Sequence, residues 1–327
     1  EFAKVDLTGG QEIEGAKMQI LDQDGKVVEE WVSKKEPHVV YALEPGEYVL
    51  HEEQAPTEQG YVRAEDVKFV VEETVDVQKV KMEDDHTKVS ISKTDITDGK
   101  EIEGAKLQIL DQDGEVVESW TTGEEHLIEY LPVGTYTLHE EAAVDGYIVA
   151  NDVEFTVEET GEIQKVKMED ERAMGQLVIV KTDTDSKAAL EGVEFVLLEK
   201  ETGEEVGRLK TGKDGKAVSE LLPIGTYENG VFKEPITYVL KETATLKGYE
   251  KTEEEWEIVF TYQNDKTPVI EVVKEIQNKK IPETPGTVKP GPKTGDDTNW
   301  FLPLLALGVS AGMVAGLLYY RKRHKKA

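Results

Sequence analysis

Tyr136-Thr137-Leu138-His139-Glu140 decides the fold class of this chain. Apolar and polar residues alternate, which is the period of two that a half-buried β-strand requires. Tyr136 and Leu138 share one face with Glu140, while Thr137 and His139 take the other. The same strand returns as Tyr48-Val49-Leu50-His51-Glu52 and as Tyr238-Val239-Leu240-Lys241-Glu242. A strand that recurs in this way marks a repeated β unit.

Working outward, 1–86 and 87–172 read as two copies of one unit. Gly10-Gln11-Glu12-Ile13-Glu14-Gly15-Ala16-Lys17 matches Gly99-Lys100-Glu101-Ile102-Glu103-Gly104-Ala105-Lys106, and Trp31 matches Trp120. The units close on Gln78-Lys79-Val80-Lys81-Met82-Glu83-Asp84 and Gln164-Lys165-Val166-Lys167-Met168-Glu169-Asp170. A third, divergent copy spans 173–280, with extra residues from Glu228 to Ile236 that read as a longer hairpin loop. Short alternating runs punctuated by Asp-Gly and Pro-Gly predict an all-β chain of three tandem immunoglobulin-like sandwiches. Asp22-Gln23-Asp24-Gly25 has the opening of a calcium loop, but the third carboxylate and the distal Glu are out of place. A hairpin turn explains it, and neither a metal nor any other cofactor is expected.

The alternation also aims polar groups inward. In the second unit Val89 and Ile91 carry Lys93 onto their face, Tyr136 and Leu138 carry Glu140, and Val166 and Met168 carry Asp170. The first unit offers Lys4, Glu52 and Asp84 in the same places, and the third offers Lys181, Glu242 and Asn278. A charge ending an inward stripe ordinarily marks where a strand leaves the core. A lysine, a glutamate and an aspartate or its amide in the same places, in a divergent copy as well as a near-duplicate, call for more. His51 and His139 flank the glutamates but point outward by parity.

Lys-x-Asp at the first strand, Glu-Gly-Ala before the second, and Tyr-x-Leu-x-Glu followed by Gly-Tyr make the units resemble the collagen-adhesin B-type and SpaA-like pilin domains of Gram-positive surface proteins. The resemblance covers roughly residues 1 to 279. It implies intramolecular isopeptide bonds joining Lys4 to Asp84, Lys93 to Asp170 and Lys181 to Asn278. Glu52, Glu140 and Glu242 would promote them. Burial supports that chemistry, because it favours the neutral, nucleophilic lysine and the protonated carboxyl. The third unit departs from the family at Thr243-Ala244-Thr245-Leu246, where Ala-Pro is usual, and at Lys274; neither is expected to touch the triad.

The C-terminal stretch has three parts: Pro292-Lys293-Thr294-Gly295, an uncharged run from Trp300 to Tyr320, and Arg321-Lys322-Arg323-His324-Lys325-Lys326. As a helix the run reaches about 31 Å, enough to cross a bilayer's hydrocarbon core. Trp300, Tyr319 and Tyr320 suit the two interfaces, and the basic tail belongs in the cytoplasm. The order resembles a Gram-positive cell-wall sorting signal, with Gly291 where that pattern carries Leu. The resemblance implies sortase cleavage between Thr294 and Gly295 and transfer of Thr294 to an amine of peptidoglycan or of a pilin. The expected segments are a Pro/Gly linker with the motif at 281–299, a transmembrane helix at 300–320 and a cytoplasmic tail at 321–327.

Composition narrows the function. The net charge of −30 makes nucleic acid an unsuitable partner, and without cysteine there is no disulfide, thiolate metal site or thiol nucleophile. Neither a zincin motif nor a nucleophile elbow nor a phosphate-cradling glycine loop is present, so an enzyme is not expected. No signal peptide stands at Glu1, and since a sorted protein is exported, the sequence reads as a piece of a longer chain. The leading expectation is a secreted, wall-anchored stalk or adhesin-type structural protein, held in the membrane by 300–320 before sorting. Its alternatives are a minor basal or tip pilin subunit and a single-pass membrane protein that is never sorted. No host or matrix ligand can be named from strands this regular.

Overall fold

A computed structural model describes residues 1–282 of the chain. The sorting motif, the expected span and the basic tail lie outside the described residues. So does the expected linker beyond Pro282.

In each domain the first and last strands lie side by side and run parallel. Phe2–Asp6 pairs with Val80–His86, Lys88–Asp95 with Ile163–Arg172, and Met174–Asp183 with Val269–Asn278. Antiparallel neighbours complete this sheet: Tyr61–Val62 in the first domain, and His126–Glu129 and Tyr147–Ile148 in the second. A second, four-stranded antiparallel sheet faces it. In the second domain its order is Val116–Thr121, Lys106–Leu110, Gly134–Ala142, Val153–Val157. The first and third domains repeat that order, with Gly46–Gln54 and Thr237–Ala244 in the place of Gly134–Ala142.

The cores lie between the two sheets and follow the alternation. Val89, Ile91, Leu107, Ile109, Leu138 and Met168 form the second core, and Ile20, Leu50 and Met82 stand at the matching places of the first. The third is larger, with Leu177, Ile179, Phe195, Leu197, Leu240, Trp256 and Phe260. Each aliphatic buried in this way contributes about 1.5–3 kcal/mol over an exposed one. Asp22-Gln23-Asp24-Gly25 is a hairpin turn: Asp22 Oδ1 accepts the backbone N–H of Asp24 at 3.0 Å and of Lys26 at 2.9 Å, and Gly25 supplies φ of 76°.

The insertion in the third domain differs from the loop expected there. Gly225–Glu228 and Val231–Pro235 pair as a two-stranded ribbon. Asn229 and Gly230 turn it with φ of 53° and 68°, the two positive values that a tight hairpin turn needs. Lys274 sits at an inward position by parity, yet its ammonium lies 5.8 Å from the centre of the Trp256 ring, where a cation is favourable.

Candidate functional site

The parallel pairing sets the geometry of the site. Lys4 is paired with Met82, Lys93 with Met168 and Lys181 with Ile276. Asp84, Asp170 and Asn278 each follow two residues later, on the same sheet face. Each lysine therefore reaches along its strand to the acceptor on the neighbouring strand. The glutamate comes from the opposite sheet, on Gly46–Gln54, Gly134–Ala142 and Thr237–Ala244. All nine residues are buried, with Lys93 at 2 % exposure and Lys181 at 0 %.

In the first domain Lys4 Nζ contacts Asp84 Oδ1 directly and lies 2.8 Å from Glu52 Oε2. In the second, Lys93 Nζ contacts Asp170 Oδ1 and lies 2.9 Å from Glu140 Oε2. In the third, Lys181 Nζ meets Asn278 Oδ1 and lies 2.9 Å from Glu242 Oε2. Backbone N–H groups steady two of the glutamates: Ala64 donates to Glu52 at 2.7 Å, and Ala150 to Glu140 at 2.6 Å. In the third domain Asn278 Nδ2 donates to Glu242 Oε1 at 2.6 Å, so the amide nitrogen faces the glutamate and the carbonyl faces the lysine.

The charge balance is uncomfortable if every group is ionised. Two carboxylates and one ammonium would share an interior site, and burial penalises each charge. Burial pushes Asp84 up to about 7, with Lys4 opposing and Glu52 adding to the rise. Asp170 is likewise pushed up to about 7 by burial, against Lys93 and with Glu140. Glu52 Oε1, Asp84 Oδ2, Glu140 Oε1 and Asp170 Oδ2 have no donor. A proton held between the two carboxyls satisfies each pair. In the third domain burial lowers Lys181, and Glu242 partly restores it. Every site thus favours a less charged state than the same groups adopt in water.

Thr245 corrects one expectation. Its Oγ1 accepts Asn278 Nδ2 at 2.7 Å, so the departure from Ala-Pro does touch the triad. Alanine stands at the matching places in the other domains, Ala55 and Ala143, where the acceptor is an acid and has no N–H to satisfy. The histidines lie outside: His51 pairs with Asp66 and His139 with Asp152, each at 2.7 Å and partly exposed. Sequence parity overlooked Asp6, Asp95 and Asp183, the last residues of Lys-x-Asp, which are also buried. The recurrence of Lys-x-Asp and of Gly-Tyr was the available signal.

Repeated sandwiches whose first and last strands are parallel, each with a buried lysine set against an acid or amide, define a class of tandem β-domain proteins. Comparison with known proteins places the chain in it. Residues 1–86, 87–172 and 175–234 match the SpaA prealbumin-like fold domain, and the chain belongs to that family. The family description specifies a prealbumin-like fold where strand count pointed to an immunoglobulin-like one. Among solved structures, the Bacillus anthracis TIE protein is 26% identical with a TM-score of 0.52. That match covers 85% of this chain and 50% of the other, so this chain spans about half its length. The major pilin subunit BcpA of Bacillus cereus is 16% identical over 86% of this chain and 98% of its own, with a TM-score of 0.44. A streptococcal ancillary pilin is 16% identical over 86% and 98%, with a TM-score of 0.32. No curated protein sequence matches the chain.

Proposed function

We propose that this chain is a surface stalk whose domains, taken as 1–86, 87–172 and 173–280, lock themselves with isopeptide bonds. The observation that carries the reading is the recurrence of one buried lysine, acceptor and glutamate at the same strand register in all three domains. The neutral lysine amine attacks the acceptor Cγ and forms a C–N bond. In the first two domains the Cγ–OH bond then breaks and water leaves. In the third, Cγ–Nδ2 breaks and ammonia leaves. Glu52, Glu140 and Glu242 take the proton that the attacking amine sheds and deliver one to the leaving group. Each bond forms once and in cis, replacing interior charges with a neutral amide. This is maturation rather than turnover.

Such bonds suit a protein under tension. Force entering the first strand passes through the bond to its parallel neighbour and on to the next domain, so the rest of the sandwich carries no load. We propose further that Pro292-Lys293-Thr294-Gly295 is read by a sortase. Thr294 would be joined to an amine of peptidoglycan or of a pilin, with 300–320 holding the chain in the membrane until then. Membership of the SpaA prealbumin-like domain family supports this surface role.

Peptide mapping of the full chain by mass spectrometry tests the locking. Branched peptides joining Lys4 to Asp84, Lys93 to Asp170 and Lys181 to Asn278 are expected. The intact mass should fall short of the sequence mass by two waters and one ammonia. An intact mass equal to that of the sequence refutes it.

A further inference from the structure

The aspartate two residues beyond each lysine has no part in the bond-forming triad. It is nevertheless buried in every domain, as Asp6, Asp95 and Asp183. Asp6 Oδ1 accepts the N–H of Thr8 at 2.7 Å and of Gly9 at 2.8 Å, and Asp6 Oδ2 accepts the phenol of Tyr130 at 2.7 Å. Tyr130 belongs to the second domain. Its ring stacks on His86 with centroids 3.9 Å apart and meets Tyr61 edge-on at 5.5 Å. Burial alone would raise Asp6, but hydrogen bonds from Thr8, Gly9 and Tyr130 outweigh it and hold the carboxyl well below its usual range. The acceptor therefore stays charged, which strengthens the bond from Tyr130.

Tyr130 is in the left-handed region, with φ of 62°, an uncommon place for a bulky side chain. It stands four residues past His126, as Ala42 stands four past His38, and Ala42 has φ of 61°. The turn thus belongs to the repeat, whereas the aromatic appears where a domain precedes it within the described residues. Gly60, of the Gly-Tyr motif, lies against that turn: a Cβ there would fall 2.3 Å from the Tyr130 carbonyl.

The second joint repeats the plan with different residues. Asp95 Oδ2 accepts Tyr147 Oη at 2.7 Å and Arg172 Nε at 2.6 Å. The Arg172 guanidinium sits 4.2 Å over the ring of Tyr227, from the third domain, and Tyr227 Oη donates to the Gly146 carbonyl at 2.8 Å. A Cβ at Gly146 would fall 2.8 Å from Tyr227 Oη and from Phe232. Gly248, the third such glycine, has the same left-handed backbone, φ of 88°, but nothing within 4 Å of its added Cβ. Close approach to these glycines follows the presence of a succeeding domain. The joints contain no slack, since one buried residue, Thr87 or Ala173, separates the last strand of one domain from the first strand of the next.

We infer that Lys-x-Asp and Gly-Tyr together form an interdomain socket. The following domain seats an aromatic plug in it, Tyr130 at the first joint and Tyr227 through Arg172 at the second, so that the three domains act as one stiff body. The socket is independent of bond formation and gives the two motifs a function of their own.

Distance measurement between spin labels on the full chain tests this. The chain has no cysteine, so labels at Gln23→Cys and Gln112→Cys, both exposed turn positions, report alone. The parent should give a single narrow distance peak. Tyr130→Ala should lose it, and Tyr130→Phe, which keeps the ring, should widen it to a lesser degree. Gly60→Ala should also lose the narrow peak while Gly248→Ala retains it, because both carry the same backbone strain and only one lies at a joint. That glycine comparison decides the matter even if Tyr130→Ala fails to fold. A broad peak in the parent overturns the inference, as does a narrow peak that survives both Tyr130→Phe and Gly60→Ala.

Discussion

Replacing Glu140 with alanine removes the proton carrier of the second domain while leaving Lys93 and Asp170 in contact. The bond should then fail to form, and the variant's intact mass should fall short of its own sequence mass by one water less than the parent's does. Lys93 and Asp170 are 77 residues apart in sequence. By the chain-entropy argument used for cross-links, closing that loop contributes about 4.5 kcal/mol to stability. For a domain of this size that corresponds to a fall of roughly 25 °C in the melting temperature of the second domain. The mechanical signature is sharper. In the parent, the residues between Lys93 and Asp170 are bypassed and should never extend. In Glu140→Ala they are in the load path and should release about 270 Å of contour length when the domain unfolds. Single-molecule pulling on the full chain reads this directly. A parent that releases the same length as Glu140→Ala, or a variant that shows the same mass deficit from its own sequence as the parent, would refute the reasoning.

Lys93→Met strips away the lowering influence on Asp170 and leaves burial and Glu140, both of which raise it. The folded pKa of Asp170 then exceeds its unfolded value, so its contribution to stability is fully present below about pH 4 and lost as pH rises through neutrality. The stability of the second domain in this variant should fall between pH 5 and 8, with a slope of up to about 1.4 kcal/mol per pH unit, and its melting temperature with it; a flat profile in thermal denaturation would argue against a buried, protonated Asp170. Asn278→Asp changes the leaving group of the third domain from ammonia to water and removes the N–H that Thr245 accepts. Peptide mapping should still find the branch from Lys181, formed with loss of water. Leu138→Ala empties a fully buried position of the second core and should cost about 2–5 kcal/mol by denaturant titration, with the bond retained. Thr294→Ala should leave the protein in the membrane fraction of a sortase-bearing cell; wall attachment equal to that of the parent would exclude Thr294 as the joining residue.

The sequence by itself determined the three repeats, their β character and the nine inward polar residues. A strand face is a local property with a period of two, so Tyr136, Leu138 and Glu140 declare their common side without reference to any partner strand. The reading proposed for the tail from Pro292 onward rests on the same local kind of signal, its order of motif, apolar run and bases. Tertiary structure alone decided which strands meet. Nothing local to Lys93 or Asp170 specifies that their strands run parallel in one register, since the two residues are 77 apart, or that Glu140 reaches them from the facing sheet. Thr245 entered the site for the same reason: its role depends on an amide 33 residues away. The ribbon at 225–235 and the seat of Tyr130 against Asp6, 124 residues apart, lay furthest from view. Periodicity tells a side chain which way to face, and only the packing of distant segments supplies what it faces.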